Sequence, residues 1–311
     1  MKVDNVLILA AGAGTRMGEI GKKLPKVLWP VFEKSILELE VLYAEELGAQ
    51  NIYINTYNYK EKLISFYKDS EILQRATLIE ENEKLDIGGA VHNLAKKLDY
   101  KGDLLILNSD QFIFLSESTW ETALKNYKNN DHLLFSYNVN SNDLYNALSV
   151  DENNILQKVT PNNEFDRNVM MQTYTGMSLI NLNKLKPSEG ESNFFKTVAN
   201  YTNSQVYICN IEESVYWDFG TIKRYKDSCY NIIKNIDSDD PFIVFIKKVG
   251  AIKTDKVKQE YLAYNSIKKH CINLGNNNNS AKNKIIIKES SKELLDSENV
   301  QLVYEDIILN S

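Results

Sequence analysis

The sequence is poor in the two residue types that build disulfide frameworks and zinc sites. Its 311 residues contain only three cysteines and three histidines, scattered along the chain (Cys209, Cys229 and Cys271; His92, His132 and His270). An odd number of widely spaced cysteines excludes a regular disulfide framework, and the spacing is not that of metal ligands. We therefore expect a protein of a reducing compartment, the cytoplasm, without a zinc centre.

Basic charge and long apolar runs are also scarce. The 36 lysines and arginines are outnumbered by 42 acidic residues, which gives a net charge of -6. A general nucleic-acid binder needs a basic face that displaces counterions, so no nucleic-acid partner is expected. The apolar run at residues 6–11 is too short to span a bilayer and lacks the long apolar region of a signal peptide, and no other segment reaches transmembrane length. Membrane insertion is not expected.

The first half of the sequence contains a regular alternation of strand-like and helix-like segments. Residues 5–10 form a continuous apolar run, which is typical of a central parallel strand covered on both faces. Ser35 and Glu38 have the spacing of a capping box, and the helix they open ends at Gly48. Strands and helices then alternate as far as residue 107 (51–56, 59–68, 76–80, 88–98 and 103–107). This order predicts a three-layer, Rossmann-like α/β domain with a mixed, mainly parallel sheet.

The second half is richer in strand-like segments, which we expect to form a lid or a substrate-binding half (132–137, 156–159 and 176–180). A helix is predicted at 222–233. The composition then shifts at residues 237–241, and a run of asparagines marks a low-complexity loop at 276–279. We therefore expect a catalytic domain at 1–236 and a small C-terminal extension at 237–311.

The strongest chemical signal is the loop that follows the first predicted strand. Glycines directly after a strand let the backbone approach a polyphosphate, and successive N–H groups can bind its oxygens. We expect six residues of this loop to contact a nucleotide (Ala10, Ala11, Gly12, Ala13, Gly14 and Thr15). Arg16 and, further along, Lys26 would supply positive charge where a phosphate gathers negative charge during reaction.

The glycines alone would also fit an ordinary strand-to-helix turn or a dinucleotide fingerprint. A dinucleotide fingerprint, however, calls for neither Arg16 nor Lys26, and it does not allow the long loop that runs to Ser35. The segment LAAGAGTRM…LPKVLWPV resembles the signature of the sugar-phosphate nucleotidyltransferases, the NDP-sugar pyrophosphorylases. Weaker blocks follow in the family's order over residues 3–230. The resemblance implies transfer of a nucleoside monophosphate from an NTP to a sugar 1-phosphate.

Two aspartates match positions at which this family binds metal. Asp110 ends the segment LLILNSD, which resembles the family's strand ending in N-G-D, with Ser109 in place of the glycine. Asp218 lies in YWDFGT, which resembles the family's W-x-D-I-G-T-P block, with Ile222 in place of the proline. Carboxylates are natural ligands of a hard cation that bridges phosphates. The resemblance therefore implies that Asp110 and Asp218 bind Mg²⁺.

The acceptor side matches the family less closely. Lys158 falls where the family has Glu-Lys-Pro, whose lysine contacts the sugar phosphate, although an ordinary surface lysine fits nearly as well. Tyr174 and Gly176 lie in YTGM, which resembles the family's N-x-G-I/V block, with a tyrosine where an asparagine often lies near the sugar. The resemblance implies that these three residues bind the sugar phosphate and leaves the identity of the sugar open.

Base recognition is expected in the segment ENEKLDIGGA, which resembles the family's block ending P-L-G-T-x-G-A. The segment departs from that block at three positions (Lys84, Asp86 and Ile87). The resemblance implies nucleotide contacts at Glu81, Gly88 and Gly89. A carboxylate only accepts hydrogen bonds, so Glu81 suits guanine, and next cytosine, better than thymine or uracil. GTP with a mannose- or heptose-type phosphate is weakly favoured, and an exposed acidic turn is the alternative at Glu81.

Three alternative functions stay open. The acceptor could be a non-sugar phosphate such as phosphocholine, used with CTP, or the chain could be a regulatory subunit that binds nucleotide sugars without turnover. A dinucleotide-dependent oxidoreductase is the third. Family members often carry a left-handed β-helix at the C-terminus, so the extension at 237–311 is expected to be a degenerate β-helix or a homo-oligomerisation segment, although no repeat period is evident.

Overall fold

A computed structural model of the chain describes residues 3–140, 145–164, 168–211 and 214–252, and four further strands between Cys271 and Asn310. The strands are β1 (Val3–Leu9), β2 (Pro30–Val31), β3 (Lys34–Ser35), β4 (Ala49–Thr56), β5 (Thr77–Glu80), β6 (Asp103–Asn108), β7 (Gln111–Phe114), β8 (His132–Asn140), β9 (Ala147–Val150), β10 (Leu156–Thr160), β11 (Met170–Asn181), β12 (Val206–Asn210), β13 (Val215–Asp218), β14 (Cys271–Asn273), β15 (Lys284–Lys288), β16 (Gln301–Tyr304) and β17 (Ile307–Asn310). The helices are α1 (Gly18–Lys23), α2 (Ile36–Glu46), α3 (Lys60–Asp69), α4 (Asp86–Lys97), α5 (Glu117–Tyr127), α6 (Phe194–Thr197), α7 (Ile222–Lys234) and α8 (Pro241–Lys248).

The largest sheet has seven strands in the order β12–β8–β11–β6–β1–β4–β5. β1 is parallel to its two neighbours, β4 and β6, and β4 is parallel to β5. β11 is antiparallel to β6 and to β8, whereas β12 is parallel to β8. The prediction of a mixed, mainly parallel sheet is confirmed.

Neighbouring residues of β1 pack into separate hydrophobic clusters on the two faces of the sheet. Ile8 belongs to the cluster that includes side chains of α2, α7 and α8, whereas Leu7 belongs to the cluster with α4 and α6. Successive residues of a strand point to opposite faces, so a strand covered on both sides must be apolar throughout. The sheet is therefore the middle of three layers.

The first turn of α2 is the predicted capping box. The Ser35 hydroxyl accepts a hydrogen bond from the Glu38 amide at 3.2 Å, and the Glu38 carboxylate accepts one from the Ser35 amide at 2.8 Å. Two amide groups that the helix leaves free are thereby satisfied. The local pattern correctly predicts where α2 begins, and the buried face of the helix includes Leu37 and Leu39.

The structure departs from two sequence expectations about chain organisation. The β-rich second half does not form a separate lid, because β8, β11 and β12 extend the central sheet, while β9 pairs with β10 and β13 with β7 apart from it. The long loop before Ser35 also contains the unpredicted helix α1. Its sequence, GEIGKK, is only six residues long and buries just Ile20 and Gly21, which is too little for an apolar pattern to be visible.

The hydrophobic core continues past the boundary expected at residue 236. Asp240 caps α8 by accepting hydrogen bonds from the amides of Phe242 and Ile243 at 2.9 and 3.2 Å, with Pro241 in the first turn. Phe242 is fully buried, and the Glu33 amide donates to the Ala251 carbonyl at 2.9 Å. The composition shift at residues 237–241 therefore marks a helix cap, and the packed domain reaches residue 252.

The four C-terminal strands form their own sheet in the order β14–β15–β16–β17. The first two pairs are parallel and the last is antiparallel. Leu309 of β17 packs on α1, where its side chain lies 3.2 Å from the position of a Cβ at Gly18. A role in oligomerisation stays a prediction. Among the described residues, no helix has the length and apolar character needed to cross a membrane.

Candidate functional site

The glycine-containing loop lines a cavity of about 400 Å³ at the carboxyl ends of the parallel strands. The loop follows β1, while Asn55 is the second-to-last residue of β4 and Asp110 lies two residues after β6. All of these elements contribute to the cavity wall, together with Arg16 and Lys26. Ligands of open α/β sheets bind at this edge. The structure thus brings together the loop and both of the predicted cations.

Three polar side chains hold the loop in place. The amide of Ala10 donates to the Asn55 side-chain oxygen at 2.7 Å, and the Asn58 side chain donates to the carbonyl of Ala11 at 2.7 Å. Ser109, which replaces the family's glycine, donates to the Leu9 carbonyl at 2.6 Å. Asn55 and Asn58 were not predicted, because they lie far from the loop in sequence. Their contacts fix the backbone before any ligand arrives.

The two glycines of the loop have different requirements. Gly14 has a φ of 60°, in the left-handed region that favours glycine. At Gly12 a Cβ would meet no atom within 4 Å, so it would point into open space. Gly12 is exposed, and it lies on the cavity wall. Glycine at position 12 therefore keeps the cavity open, whereas glycine at position 14 makes the turn.

Lys26 and Asp110 form an ion pair within the cavity. Their side chains are only 15% and 10% exposed. Lys26 begins a short 3₁₀ turn directly after Pro25. A largely buried ion pair is costly to break by removing one partner, so each of these charges holds the other in position.

Asp218 lies beside Asp110 because β13 pairs with β7. The pairing is antiparallel and sets Asp218 opposite Gln111, the residue after Asp110. Asp218 accepts hydrogen bonds from the Gly220 amide at 2.6 Å and from Arg224 at 2.7 Å. Burial and the nearby charge of Asp110 raise the pKa of Asp218 above its ordinary value. Two carboxylates held this close favour a cation between them.

The space between the two carboxylates depends on Gly220. A Cβ at Gly220 would lie 2.7 Å from an oxygen of Asp110 and 2.9 Å from an oxygen of Asp218. The Cβ of any other residue at position 220 would therefore fill the space between the two carboxylates. Oxygen ligands on both sides of an open gap fit a hard divalent cation. Since no cluster of three or more histidine, cysteine or acidic residues that could hold a metal occurs in the described part of the chain, the remaining ligands would be phosphates and water.

A second cavity, of about 210 Å³, adjoins the two carboxylates. Tyr174 and Gly176, both predicted to bind the sugar phosphate, line it with Asp110 and Asp218. Gly176 has a φ of 96°, and a Cβ there would overlap the side chain of Asn108. The Tyr174 hydroxyl donates to the Ser178 hydroxyl at 2.9 Å, and burial raises the pKa of Tyr174. The glycine therefore lets β11 pass close to the Asn108 side chain, and the Tyr174 side chain, held by its hydrogen bond to Ser178, forms part of the cavity wall.

Four predicted site residues line neither cavity, and the first of them is Thr15, an exposed residue of the loop. Lys158 is exposed on β10 and lines neither cavity. Gly88 and Gly89 pack against another segment, because a Cβ at Gly88 would lie 2.5 Å from the Ser192 carbonyl and one at Gly89 would overlap the Gly190 carbonyl. The glycines of α4 therefore permit close packing. The wall of the larger cavity is formed instead by other residues of this region (Lys84, Leu85, Asp86, Ile87 and Ala90).

Glu81 is buried on the wall of the larger cavity and is not an exposed acidic turn. Its carboxylate accepts a hydrogen bond from the Asn55 side chain at 2.8 Å, and burial raises the pKa of Glu81. A further acidic residue that was not predicted, Glu40, is fully buried in α2. Burial and the neighbouring Asp110 raise its pKa well above the ordinary value. Glu40 is thereby favoured in its neutral form beneath the ion pair.

Arg224 is the main residue of the site that the sequence analysis missed. It lies in the first turn of α7, lines the smaller cavity and pairs with Asp218. Its guanidinium also donates to the Tyr145 hydroxyl and stacks over that ring at 5.2 Å. Arg224 lies just after the segment YWDFGT, and the family's W-x-D-I-G-T-P block does not include a basic residue there. The sequence therefore offers little reason to select it.

The sequence model of one protein family, Nucleotidyl transferase, matches residues 5–235. The chain belongs to the nucleotidyl transferase family. The family assignment agrees with the resemblance drawn from the glycine-containing loop and the two aspartates.

Curated relatives in this family match parts of the chain. The D-glycero-alpha-D-manno-heptose 1-phosphate guanylyltransferase of Campylobacter jejuni is 28% identical over 158 residues, 48% of this chain and 65% of the relative. The bifunctional protein GlmU of Methanococcus maripaludis is 34% identical over 125 residues, 40% of this chain and 28% of the relative. The bifunctional protein GlmU of Acholeplasma laidlawii is 25% identical over 268 residues, which cover 82% of this chain and 52% of the relative. The chain therefore spans 65% or less of each of these relatives.

Solved structures share the fold. HddC from Yersinia pseudotuberculosis, complexed with GMP-PN, matches with a TM-score of 0.61 and 20% identity over 74% of this chain and 99% of that protein. A UDP-glucose pyrophosphorylase complexed with UDP-glucose matches with a TM-score of 0.58 and 15% identity over 75% of this chain and 99% of that protein. The fold of the family thus covers the domain that carries both cavities.

Proposed function

We propose that this protein transfers a nucleoside monophosphate from an NTP to a sugar 1-phosphate and releases pyrophosphate. The observation that carries the proposal is the meeting of three parts at one sheet edge: the open loop at Gly12, the Lys26–Asp110 pair and the second carboxylate of Asp218. Nucleotide-sugar biosynthesis is the corresponding role. The family assignment supports the reaction type.

The reaction is an in-line displacement at the α-phosphorus of the NTP. An oxygen of the sugar 1-phosphate forms the new P–O bond, while the bond to the bridging oxygen of the β-phosphate breaks and pyrophosphate leaves with the electron pair. The acceptor is already an anion near neutral pH, so no side chain has to remove a proton. Catalysis then depends on alignment and on stabilisation of charge.

The residues divide this work between them. Backbone amides of the loop bind the triphosphate, and Arg16 and Lys26 neutralise charge that gathers on the reacting phosphate. Asp110 and Asp218 would hold Mg²⁺, and the gap at Gly220 fits it. When bound, the ion supplies charge neutralisation across the phosphates.

GTP is the favoured nucleotide and a mannose- or heptose-type phosphate the favoured acceptor. Glu81 supports guanine, because a buried carboxylate accepts hydrogen bonds from the N1–H and N2–H₂ groups of that base. The guanylyltransferase name of the Campylobacter relative and the GMP-PN complex of HddC point in the same direction.

The test is pyrophosphate release with Mg²⁺ across the four NTPs and a panel of sugar 1-phosphates, with phosphocholine included. We expect release with GTP and a mannose- or heptose-type phosphate, and loss of release when Mg²⁺ is chelated. Release only with CTP and phosphocholine would replace the sugar acceptor. Nucleotide-sugar binding without release for any pair would make the protein a regulatory subunit and overturn the enzymatic proposal.

A further inference from the structure

The acceptor cavity contains a cation that the family pattern does not account for. Arg224 lines this cavity with Asp110, Asp218 and Tyr174. Its side chain is 34% exposed, so the protein holds it without burying it completely. The lysine that the family pattern assigns to the acceptor phosphate, Lys158, lies on β10 outside the cavity.

The contacts of Arg224 leave part of its guanidinium available. Both side-chain hydrogen bonds that it makes to the described residues use Nη1, one to Asp218 at 2.7 Å and one to Tyr145. The Tyr145 ring also lies 5.2 Å from the guanidinium carbon. A guanidinium has five N–H donors in a planar fork, so Nη2 and Nε remain for a ligand. That geometry suits two oxygens of one phosphate.

The position of Arg224 in α7 is unfavourable for helix stability alone. The first turn of α7 has no acidic residue, and it contains both Lys223 and Arg224. The positive end of the helix dipole disfavours cations there. Lys223 is 82% exposed and forms an ion pair with Asp227 at 2.7 Å, which offsets its charge. A sequence that breaks a local rule at a cavity wall is typical of a functional position.

We propose that Arg224 binds the phosphate of the acceptor and thereby takes the role that the family pattern assigns to Lys158. The proposal rests on the proposed function, since it concerns the second substrate of that reaction. Asp218 and Tyr145 hold one end of the guanidinium, and the other end grips the phosphomonoester beside the two carboxylates. Tyr174 and Gly176 also line this cavity.

Steady-state kinetics of four variants test this assignment: Arg224→Gln, Arg224→Lys, Lys158→Gln and Lys223→Gln. Loss of a charge-assisted hydrogen-bond pair raises the KM for the sugar 1-phosphate roughly 10- to 100-fold in Arg224→Gln. The KM for the NTP stays within about twofold. Arg224→Lys keeps the charge near Asp218 but loses the fork, so it gives an intermediate rise in acceptor KM. Lys158→Gln and Lys223→Gln behave like the parent.

A binding measurement separates this proposal from the proposed function. Calorimetric titration with mannose 1-phosphate, and inhibition by inorganic phosphate, both weaken in Arg224→Gln by the same factor as the acceptor KM. An unchanged acceptor KM in Arg224→Gln, or a rise confined to Lys158→Gln, overturns the role of Arg224 while leaving the reaction intact. A parent that releases no pyrophosphate with any pair overturns the reaction itself.

Discussion

The nucleotide side and the acceptor side of the site are built in different ways. The nucleotide side is a continuous loop, residues 10–16, that directly follows β1 and is braced by Asn55 and Asn58. The proposed acceptor side is assembled from residues of distant segments, such as Tyr145, Gly176 and Asp218. A loop after a strand leaves a pattern in the sequence, whereas a wall made of distant segments does not. The proposed reaction takes place where the two sides meet.

The largest effect is expected where both sides share a residue. Asp110→Asn removes the charge that pairs with Lys26 and that would hold Mg²⁺, so we expect kcat to fall on the order of 100- to 1,000-fold. Pyrophosphate release measures the loss. Asp103→Asn, at the opposite end of β6, is the matched control, because an amide oxygen can still accept the hydrogen bond from Tyr127. Comparable losses in both variants would show a general effect on the fold.

The nucleotide side alone is tested by its two glycines. Gly12→Ala places a methyl group in open cavity space, so we expect the KM for the NTP to rise roughly tenfold with no change in Tm. Gly14→Ala forces an alanine into the left-handed region of backbone conformation and should lower the free energy of unfolding by about 1 kcal/mol. Thermal denaturation and initial-rate kinetics separate the two effects. A parent-like KM in Gly12→Ala would place the triphosphate elsewhere.

A smaller effect is expected at the base. Glu81→Gln replaces one acceptor oxygen by a donor, so we expect the preference for GTP over the other NTPs to fall about fivefold. The ratio of kcat/KM values measures it. The neighbouring Glu80→Gln is the control, since Glu80 is exposed and pairs with Lys60 at 2.7 Å. An unchanged ranking of NTPs in Glu81→Gln would remove this residue from base recognition.

The smallest effect on activity is expected at His132, at the opposite end of the sheet from the cavities, where the predicted change is in stability. His132 is fully buried, and burial lowers its pKa from 6.5 to about 4. The unfolded chain therefore binds the proton before the folded protein does, and stability falls as the pH drops from 6.5 towards 4, by roughly 3 kcal/mol in all. Urea denaturation across this range checks the slope. His132→Leu should flatten it; a slope as steep as the parent's would assign the effect to other groups.

Sequence patterns predicted the fold and the position of the glycine-containing loop for a common physical reason. The capping box at Ser35, the apolar run of β1 and the loop up to Gly14 are each properties of a few consecutive residues. Asp110 is predictable as well, because it lies only two residues after the end of β6. The resemblance to a family was needed for Asp218, whose place beside Asp110 depends on the pairing of β13 with β7.

The other residues escaped prediction because their roles depend on distant contacts. Arg224 is positioned by its hydrogen bond to Tyr145, and Asn55 holds the loop by accepting a hydrogen bond from the amide of Ala10. Conversely, Gly88 and Gly89 matched a family block, yet the structure uses them to pack α4 against the Gly190–Ser192 backbone. A glycine pattern indicates close approach, but it does not say whether a ligand or another part of the chain approaches.

The fate of the α-phosphate is the decisive test of nucleotidyl transfer to the sugar phosphate. The protein is incubated with GTP labelled at the α-phosphate, Mg²⁺ and the sugar 1-phosphate that gives most pyrophosphate release, and the products are separated. We expect the α-label to appear in the nucleotide sugar and the pyrophosphate to be unlabelled. Label found only in free GMP or GDP, with the sugar phosphate unchanged, would contradict transfer to the acceptor.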